Sequence, residues 1–139
     1  MNIRGFEKKD VPAMADIWNE VVEAGQAFPQ EEKLTAETAE RFFSEQSFTA
    51  AAEENGEIVA MYILHPNNVG RCGHICNASY AVRSDMRGKH AGEQLVTHCL
   101  HKAKELGFLV LQFNAVVADN APALALYKKL GFVQLGVIP

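Results

Sequence analysis

The spacing of apolar residues changes several times along the chain, and each change predicts a new strand or helix. Residues 2–6 predict a short first strand. Asp10 then precedes Val11 and Pro12, where an N-cap carboxylate and an early-turn proline favour the start of a helix. Apolar residues recur at helical spacing until Gly25, so we expect an amphipathic helix whose apolar side lies in the core.

The middle of the chain predicts a second helix and then a β-meander. Thr35 is placed to cap a helix that runs to about Gln46. Residues 48–53 and 57–64 flank Glu54-Asn55-Gly56, a pattern that is typical of a hairpin. Residues 74–82 predict a further strand with one markedly more polar face. That face carries Ile75, Asn77, Ser79 and Ala81.

The last third of the chain returns to helical spacing. The pattern predicts a helix from about Gly88 to Gly107, a buried strand over residues 108–117, a helix over residues 121–130 and a last strand over residues 132–138. The order of these elements predicts one α/β domain that spans residues 1–139.

Composition and charge narrow the possible functions. With 139 residues, of which 48% are hydrophobic, the chain is long enough for one compact core. A net charge of −4 with scattered Lys and Arg argues against nucleic acid as a partner. The charged first residues and the short apolar stretches argue against a secretory signal and a membrane span, and three cysteines without regular spacing favour the reducing cytoplasm.

The first candidate site is the turn between the strand at residues 74–82 and the next helix. A strand-to-helix turn that contains glycine leaves backbone N–H groups beside the positive end of the helix, and this arrangement suits a pyrophosphate. Arg83, Arg87 and Lys89 add positive charge. The alternative is a solvated turn that needs glycine for a positive φ. Gly88 and Gly92 fit neither a dinucleotide-binding fingerprint nor a P-loop.

Two segments together resemble the GNAT superfamily of N-acetyltransferases. The cofactor loop of that family reads [Gln/Arg]-x-x-Gly-x-[Gly/Ala]; Arg87 matches its first position and Gly92 its last, whereas His90 stands where the family has glycine. Residues 120–132 resemble the family's Asn-x-x-Ala-x-x-Leu-Tyr-x-x-x-Gly-Phe signature. The resemblance extends from Ile3 to Val137. If the histidine position requires a positive φ, we expect strain of about 1 kcal/mol or more there.

The resemblance implies a mixed central sheet with helices on both faces, a splayed parallel strand pair, and acetyl-CoA as cosubstrate without a metal. Backbone groups at Tyr80, Ala81 and Val82 would then pair with the pantetheine arm, one N–H there would polarise the thioester carbonyl, and Asn120 would hydrogen-bond the arm. Tyr127 would protonate the departing thiolate, since a phenol is protonated at neutral pH. Residues of the turn and the helix start would hold the pyrophosphate: Arg87, Gly88, Lys89, His90, Ala91 and Gly92.

Polar residues in otherwise apolar strands are candidates for contacting the acceptor. Asn77, Ser79, Gln112 and Asn114 are either structural hydrogen-bond pairs or ligand contacts, because an unpaired buried amide is costly. The central strands also resemble fungal acetyltransferases that act on azetidine-2-carboxylate and other proline analogues. That resemblance implies a small amino-acid acceptor, with Asn77 and Asn114 holding its carboxylate or positioning its amine.

The sequence leaves alternatives open for the catalytic base, for the role of the cysteines and for the function. The two central strands offer no Asp or Glu as a base; His74 is a candidate, although a histidine at a strand start is more often structural. Cys72, His74 and Cys76 make a weak metal site, so we expect no metal. Cys76 and Cys99 are interpreted as core residues. The rival functions are a protein or peptide N-acetyltransferase and a non-catalytic acyl-CoA-binding domain.

The resemblance also predicts an unfilled place in the sheet. GNAT domains of this kind insert another strand between those matching residues 108–117 and 132–138, and the sequence ends at Pro139. Unpaired backbone groups at such a gap are costly. We therefore expect either a chain truncated at its C-terminus or a homodimer in which a second copy supplies the pairing. Otherwise residues 132–138 would pair directly with residues 108–117.

Overall fold

The computed structural model describes residues 1–24, 33–66, 74–87, 90–113 and 121–135. The strands of this part are β1 (Asn2–Gly5), β2 (Phe48–Glu54), β3 (Glu57–Pro66), β4 (Ile75–Val82) and β5 (Val110–Leu111). The helices are α1 (Val11–Ala24), α2 (Ala36–Ser44), α3 (Ala91–Glu105) and α4 (Ala121–Lys129). None of the described helices is long and apolar enough to cross a membrane.

The strands form a mixed sheet in the order β1-β2-β3-β4-β5. The pairs β1–β2, β2–β3 and β3–β4 are antiparallel, whereas β5 runs parallel to β4. Residues of α1 and α2 pack in a cluster on one face, and residues of α3 pack in a second cluster on the other. The predicted α/β architecture, a mixed sheet that includes a parallel strand pair and has helices on both faces, is confirmed.

The apolar side of α1 forms the centre of the first cluster, as its periodicity predicts. Met14 and Trp18 are 0% and 1% exposed. The Trp18 ring meets Phe42 edge-on at 5.2 Å between centroids and Phe43 at 6.4 Å. Thr35 caps α2 as predicted, because its Oγ1 accepts a hydrogen bond from the Thr38 N–H at 3.2 Å.

α1 begins at Val11, directly after Asp10, as predicted, but the Asp10 carboxylate makes contacts other than the predicted cap of this helix. Residues Lys8–Asp10 form a 3-10 turn, and the Asp10 carboxylate accepts the Glu7 N–H at 2.8 Å. The same carboxylate accepts two hydrogen bonds from the Arg4 guanidinium, at 2.7 and 3.1 Å. Asp10 is therefore a buried link between β1 and the turn, held by charge-assisted hydrogen bonds from Arg4.

The β2–β3 connection is the predicted hairpin. Asn55 and Gly56 both have positive φ, 52° and 81°, as a two-residue turn between twisted antiparallel strands requires. The register pairs Glu54 with Glu57 directly across this turn. The hairpin thus brings β3 beside β2, and the pairing changes register once, between Ala52 and Glu53.

The strand predictions near the C-terminus were wrong in extent. A strand was predicted over residues 108–117. Within its described part, residues 108–113, only the two residues of β5 form a strand, and residues 114–117 lie outside the described part. Residues 132–135 form no strand, and residues 136–138 are not described. The Phe132 ring instead packs against Phe113 and Tyr127, at 5.1 and 5.6 Å between centroids. Alternating apolar residues give a strand only where a neighbouring strand pairs with them.

Candidate active site

The turn after β4 is hydrogen-bonded to α1. The Arg83 N–H donates to the Val59 carbonyl at 2.9 Å, and the 3-10 turn Ser84–Met86 follows. Glu20 on α1 accepts the Ser84 N–H at 2.9 Å, and its carboxylate lies 3.9 Å from the Arg87 guanidinium. The Arg87 side chain is 52% exposed, so this long ion pair leaves it accessible to an anion.

Arg83 is less available than its charge suggests. Its guanidinium donates to Asp85 at 2.6 and 2.9 Å and to Glu57 at 3.3 Å. Its charge is therefore largely balanced by carboxylates of the chain itself. Of the remaining residues predicted for this loop, Gly88 and Lys89 lie outside the described residues.

The remaining residues predicted to hold the pyrophosphate lie at the first turn of α3. His90 is the N-cap with φ 62° and ψ 16°, the left-handed conformation in which glycine is usual. Ala91 is buried at 3% exposure. A Cβ built on Gly92 would lie 3.4 Å from Leu126 Cδ2, so the glycine lets α4 approach this turn closely. The first N–H groups of a helix carry partial positive charge, which suits a phosphate.

Replacing His90 by glycine is expected to raise the free energy of unfolding by about 0.5 kcal/mol. The relief of roughly 1 kcal/mol of left-handed strain exceeds the gain in backbone freedom of the unfolded chain. His101, exposed within α3, is the matched control, since His101→Gly should lower stability by about 0.5 kcal/mol. Urea denaturation of both variants measures the difference, and destabilisation by both would contradict the strain at His90.

β4 pairs with β5 at its first residues, and the rest of β4 continues past this parallel pairing. Ile75 and Cys76 pair with β5, and the Gln112 N–H adds a bond to the Cys76 carbonyl at 2.9 Å. In the described segments the β4–β5 ladder ends at this bond. The backbone of the predicted pantetheine-pairing residues lies farther along the same edge: Tyr80, Ala81 and Val82.

Tyr127 lies where α4 approaches this pair of strands. Its ring stacks on Phe113 with centroids 4.4 Å apart and an interplanar angle of 23°. The Phe132 N–H donates to the Tyr127 carbonyl at 2.9 Å. Burial raises the pKa of Tyr127, so its phenol stays protonated at neutral pH. Asn120, the other candidate of this motif, lies outside the described residues.

An aromatic cluster on the α3 side of the sheet joins Tyr127 to the core, and sequence reasoning did not find it. Phe113 contacts Tyr80 at 5.8 Å between centroids, and Tyr80 contacts Tyr62 at the same distance. The Tyr62 hydroxyl hydrogen-bonds His98 Nδ1 at 2.7 Å, and burial lowers the pKa of His98. Only the register that pairs Tyr62 with Tyr80 could have placed these rings together.

The cysteines near the site lie in the core. Cys76 and Cys99 are both fully buried. Burial raises the pKa of the Cys76 thiol to about 11 and that of Cys99 to about 12. Both thiols are therefore protonated at neutral pH and are poor nucleophiles. Cys72 is outside the described part, within which no three His, Cys, Asp or Glu side chains are grouped as metal ligands.

The candidate acceptor residues that the structure describes lie on the sheet face that α1 and α2 cover. Asn77 is half-buried, and its Oδ1 accepts the Ala78 N–H at 2.8 Å. Ser79 is half-buried on the same face. Leu111 and Phe113 pack on the α3 side, so Gln112 between them faces the side of Asn77. Asn114, the other predicted acceptor residue, is not described.

Comparison with known proteins identifies the family. The model of the acetyltransferase (GNAT) family matches residues 13–132. The chain belongs to this family. It is therefore among the acyltransferase enzymes, as the two motifs predicted. The predicted likeness to fungal members is also confirmed: N-acetyltransferase aca1 of Schizosaccharomyces pombe is 32% identical over 137 residues, which cover 86% of this chain and 66% of that protein.

Two further matches cover a larger share of the matched protein. L-amino acid N-acyltransferase MnaT of Escherichia coli is 27% identical over 145 residues, covering 100% of this chain and 83% of the relative. The structure of a GCN5-related N-acetyltransferase from Kribbella flavida is 31% identical, with a TM-score of 0.91 over 99% of this chain and 85% of that one. The fold of this chain is thus the fold of GNAT acetyltransferases.

Proposed function

We propose that this chain transfers the acetyl group of acetyl-CoA to the amine of a small molecule, by direct attack within a ternary complex. The observation that carries the proposal is the position of Tyr127, a half-buried phenol that packs on Phe113 just beyond β5. Family membership supplies the reaction class, and this tyrosine supplies the proton donor that such a reaction requires.

The pyrophosphate of acetyl-CoA would bind at the start of α3. The first N–H groups of α3, which follow the left-handed His90, would donate to the phosphate oxygens, and Arg87 would exchange its long contact with Glu20 for a phosphate. Asn120 would donate to the pantetheine arm, which would pair as an added strand with the edge of β4 at Tyr80, Ala81 and Val82. The pyrophosphate contacts would come from Arg87, Gly88, Lys89, His90, Ala91 and Gly92.

The chemical step needs few side chains. The neutral amine forms a bond to the thioester carbonyl carbon, and a β4 backbone N–H stabilises the negative charge that develops on the carbonyl oxygen. The carbon–sulfur bond then breaks, and Tyr127 gives its proton to the departing sulfur. The proton that the nitrogen loses on becoming an amide returns through solvent to the Tyr127 oxygen, so the phenol is restored. Because burial raises the pKa of Tyr127, the phenol is kept in the form that can donate.

We propose an amino acid or a close analogue as the acceptor. Asn77 would donate from its amide to the carboxylate of the acceptor, and Asn114 would assist. Asn77 is half-buried on a sheet face with the polar neighbours Ser79 and Gln112, which suits a small zwitterion better than an apolar molecule. The E. coli relative is named as an L-amino acid N-acyltransferase, which agrees with this class.

We also propose that two copies of this single domain associate, in the cytoplasm. Leu109 and Val110 at β5 are 79% and 44% exposed, and Val133 and Leu135 after α4 are 79% and 87% exposed. Exposed apolar side chains of this kind are typical of contact surfaces. Sedimentation velocity at several concentrations should show a dimer, and a monomer throughout the range would exclude this assembly.

The test of the function is the release of free thiol from acetyl-CoA with a panel of amines. We expect rapid release with azetidine-2-carboxylate or an L-amino acid and much slower release with a polyamine or a peptide. Acetyl-CoA alone should raise the melting temperature, because it binds only the folded state. Thermal stabilisation without thiol release would indicate a non-catalytic acyl-CoA-binding domain, and preference for peptides would indicate a protein acetyltransferase.

A further inference from the structure

His65, near the end of β3, lies directly across from Asn77. The antiparallel register of β3 and β4 pairs these two residues, and neighbouring pairs are Ile63 with Ser79 and Leu64 with Ala78. Directly paired residues of antiparallel strands have Cβ atoms about 4.5–5.5 Å apart and point to the same face. The imidazole therefore stands beside the amide that the proposed function assigns to the acceptor.

The hydrogen bonding of His65 defines its tautomer. Its Nδ1 lies 3.0 Å from the carbonyl oxygen of Pro66. A carbonyl oxygen can only accept, so Nδ1 carries the proton. In the neutral ring Nε2 then bears the lone pair. A histidine held in this way by a backbone carbonyl is arranged to accept a proton at its other nitrogen.

The described residues beside His65 on this face of the sheet include polar, uncharged side chains. Asn77 and Ser79 face it from β4, and Thr49 lies on the same face of β2. His74, which precedes β4, is the next titratable residue along that strand. None of the ion pairs among the described residues includes His65. The imidazole is half-buried, so it is within reach of both solvent and a bound molecule.

The proposed reaction requires a base that the central strands do not otherwise supply. An amino acid carries an ammonium group at neutral pH, and this group must lose a proton before its nitrogen can attack. β4 and the described part of β5 contain no Asp or Glu. An imidazole is the side chain best suited to accept a proton near neutral pH.

We infer that His65 is the general base of this site: Nε2 takes one proton from the acceptor ammonium while Asn77 holds its carboxylate. The freed nitrogen lone pair forms the new bond to the acetyl carbon, the carbon–sulfur bond breaks, and the thiolate leaves with the proton from Tyr127. The nitrogen then loses its remaining extra proton to solvent, and solvent returns a proton to the Tyr127 phenolate. The imidazolium returns its proton to solvent after the product departs. This role rests on the proposed function, and it differs from the strand-start position of His74 that the sequence offered.

The experiment compares wild type with His65→Gln over pH 6–9, using azetidine-2-carboxylate as the acceptor. Glutamine keeps a polar side chain of similar length without a titratable nitrogen. We expect kcat/KM at pH 7 to fall by about 10²-fold or more, as for loss of a general base. The rate of the variant should then rise steadily with pH, following the fraction of neutral amine in solution. His101→Gln, on an exposed position of α3, is the control and should match wild type.

A second acceptor separates catalysis from structure. Methoxyamine is already neutral at pH 7 and needs no base, so wild type and His65→Gln should acetylate it at similar rates. Equal losses with both acceptors, or parallel pH profiles, would overturn the role of His65. A wild-type enzyme that transfers acetyl to neither acceptor would instead overturn the proposed function. An unchanged melting temperature and acetyl-CoA KM in the variant confirm that its fold and cofactor site are intact.

Discussion

Replacing Tyr127 by phenylalanine is expected to lower kcat about 10²-fold or more, with little change in the KM for acetyl-CoA. The substitution removes the hydroxyl that protonates the departing sulfur but keeps the ring that stacks on Phe113. A group that acts only in the transition state affects kcat, whereas uniform binding affects KM. Steady-state kinetics with thiol detection measures both quantities.

Tyr62→Phe is the matched control for this substitution. Tyr62 is fully buried in the same aromatic cluster, and its hydroxyl bonds to His98 rather than facing the parallel strands. Its loss should cost about 1 kcal/mol of stability and leave kcat near the wild-type value. If Tyr127→Phe turns over at the wild-type rate, the acid belongs to another group. If both variants lose activity equally, the effect lies in the packing of the cluster.

Removing the Asp10 carboxylate is expected to cause the largest loss of stability, about 3 kcal/mol in Asp10→Ala. The side chain is 5% exposed and accepts two hydrogen bonds from Arg4 and one from the Glu7 N–H. Removing the Asp10 carboxylate leaves the Glu7 N–H without its acceptor and leaves Arg4 with the more exposed Glu53 as its ion-pair partner. Denaturation in urea near neutral pH gives the difference from wild type.

The same pair predicts a pH dependence of stability. The hydrogen bond from Arg4 lowers the pKa of Asp10 below its ordinary value. The pair therefore stabilises the fold above the pKa of an unfolded aspartate, about 3.9, and loses this contribution as the pH falls through the lower folded value. The difference in the free energy of unfolding between wild type and Asp10→Ala should be constant near neutral pH and should shrink below about pH 4.

Glu53→Ala provides the comparison on the same arginine. Glu53 is the other carboxylate that Arg4 contacts, at 2.8 Å, but its side chain is 34% exposed. Its loss should cost less than about 1 kcal/mol, since exposed ion pairs contribute little. Equal costs for the two variants would show that burial does not distinguish the two partners of Arg4.

Local patterns in the sequence determined most of the elements and the family. The helical spacing around Trp18 predicted the buried side of α1, and Asn55-Gly56 predicted the hairpin. These features depend on residues close together in the chain, whose preferences act before any distant contact forms. The order of the two motifs around Arg87 and Tyr127 was sufficient to predict the GNAT family.

Only the tertiary structure decided what depends on residues far apart in sequence. Asp10 was expected to cap α1, but it pairs with Arg4 because the 3-10 turn folds back onto β1. The predicted last strand does not form in its described part, since strand formation requires a neighbour that alternation alone does not supply. His65 meets Asn77 through the register of two strands, which is set by the packing of a whole face rather than by either residue.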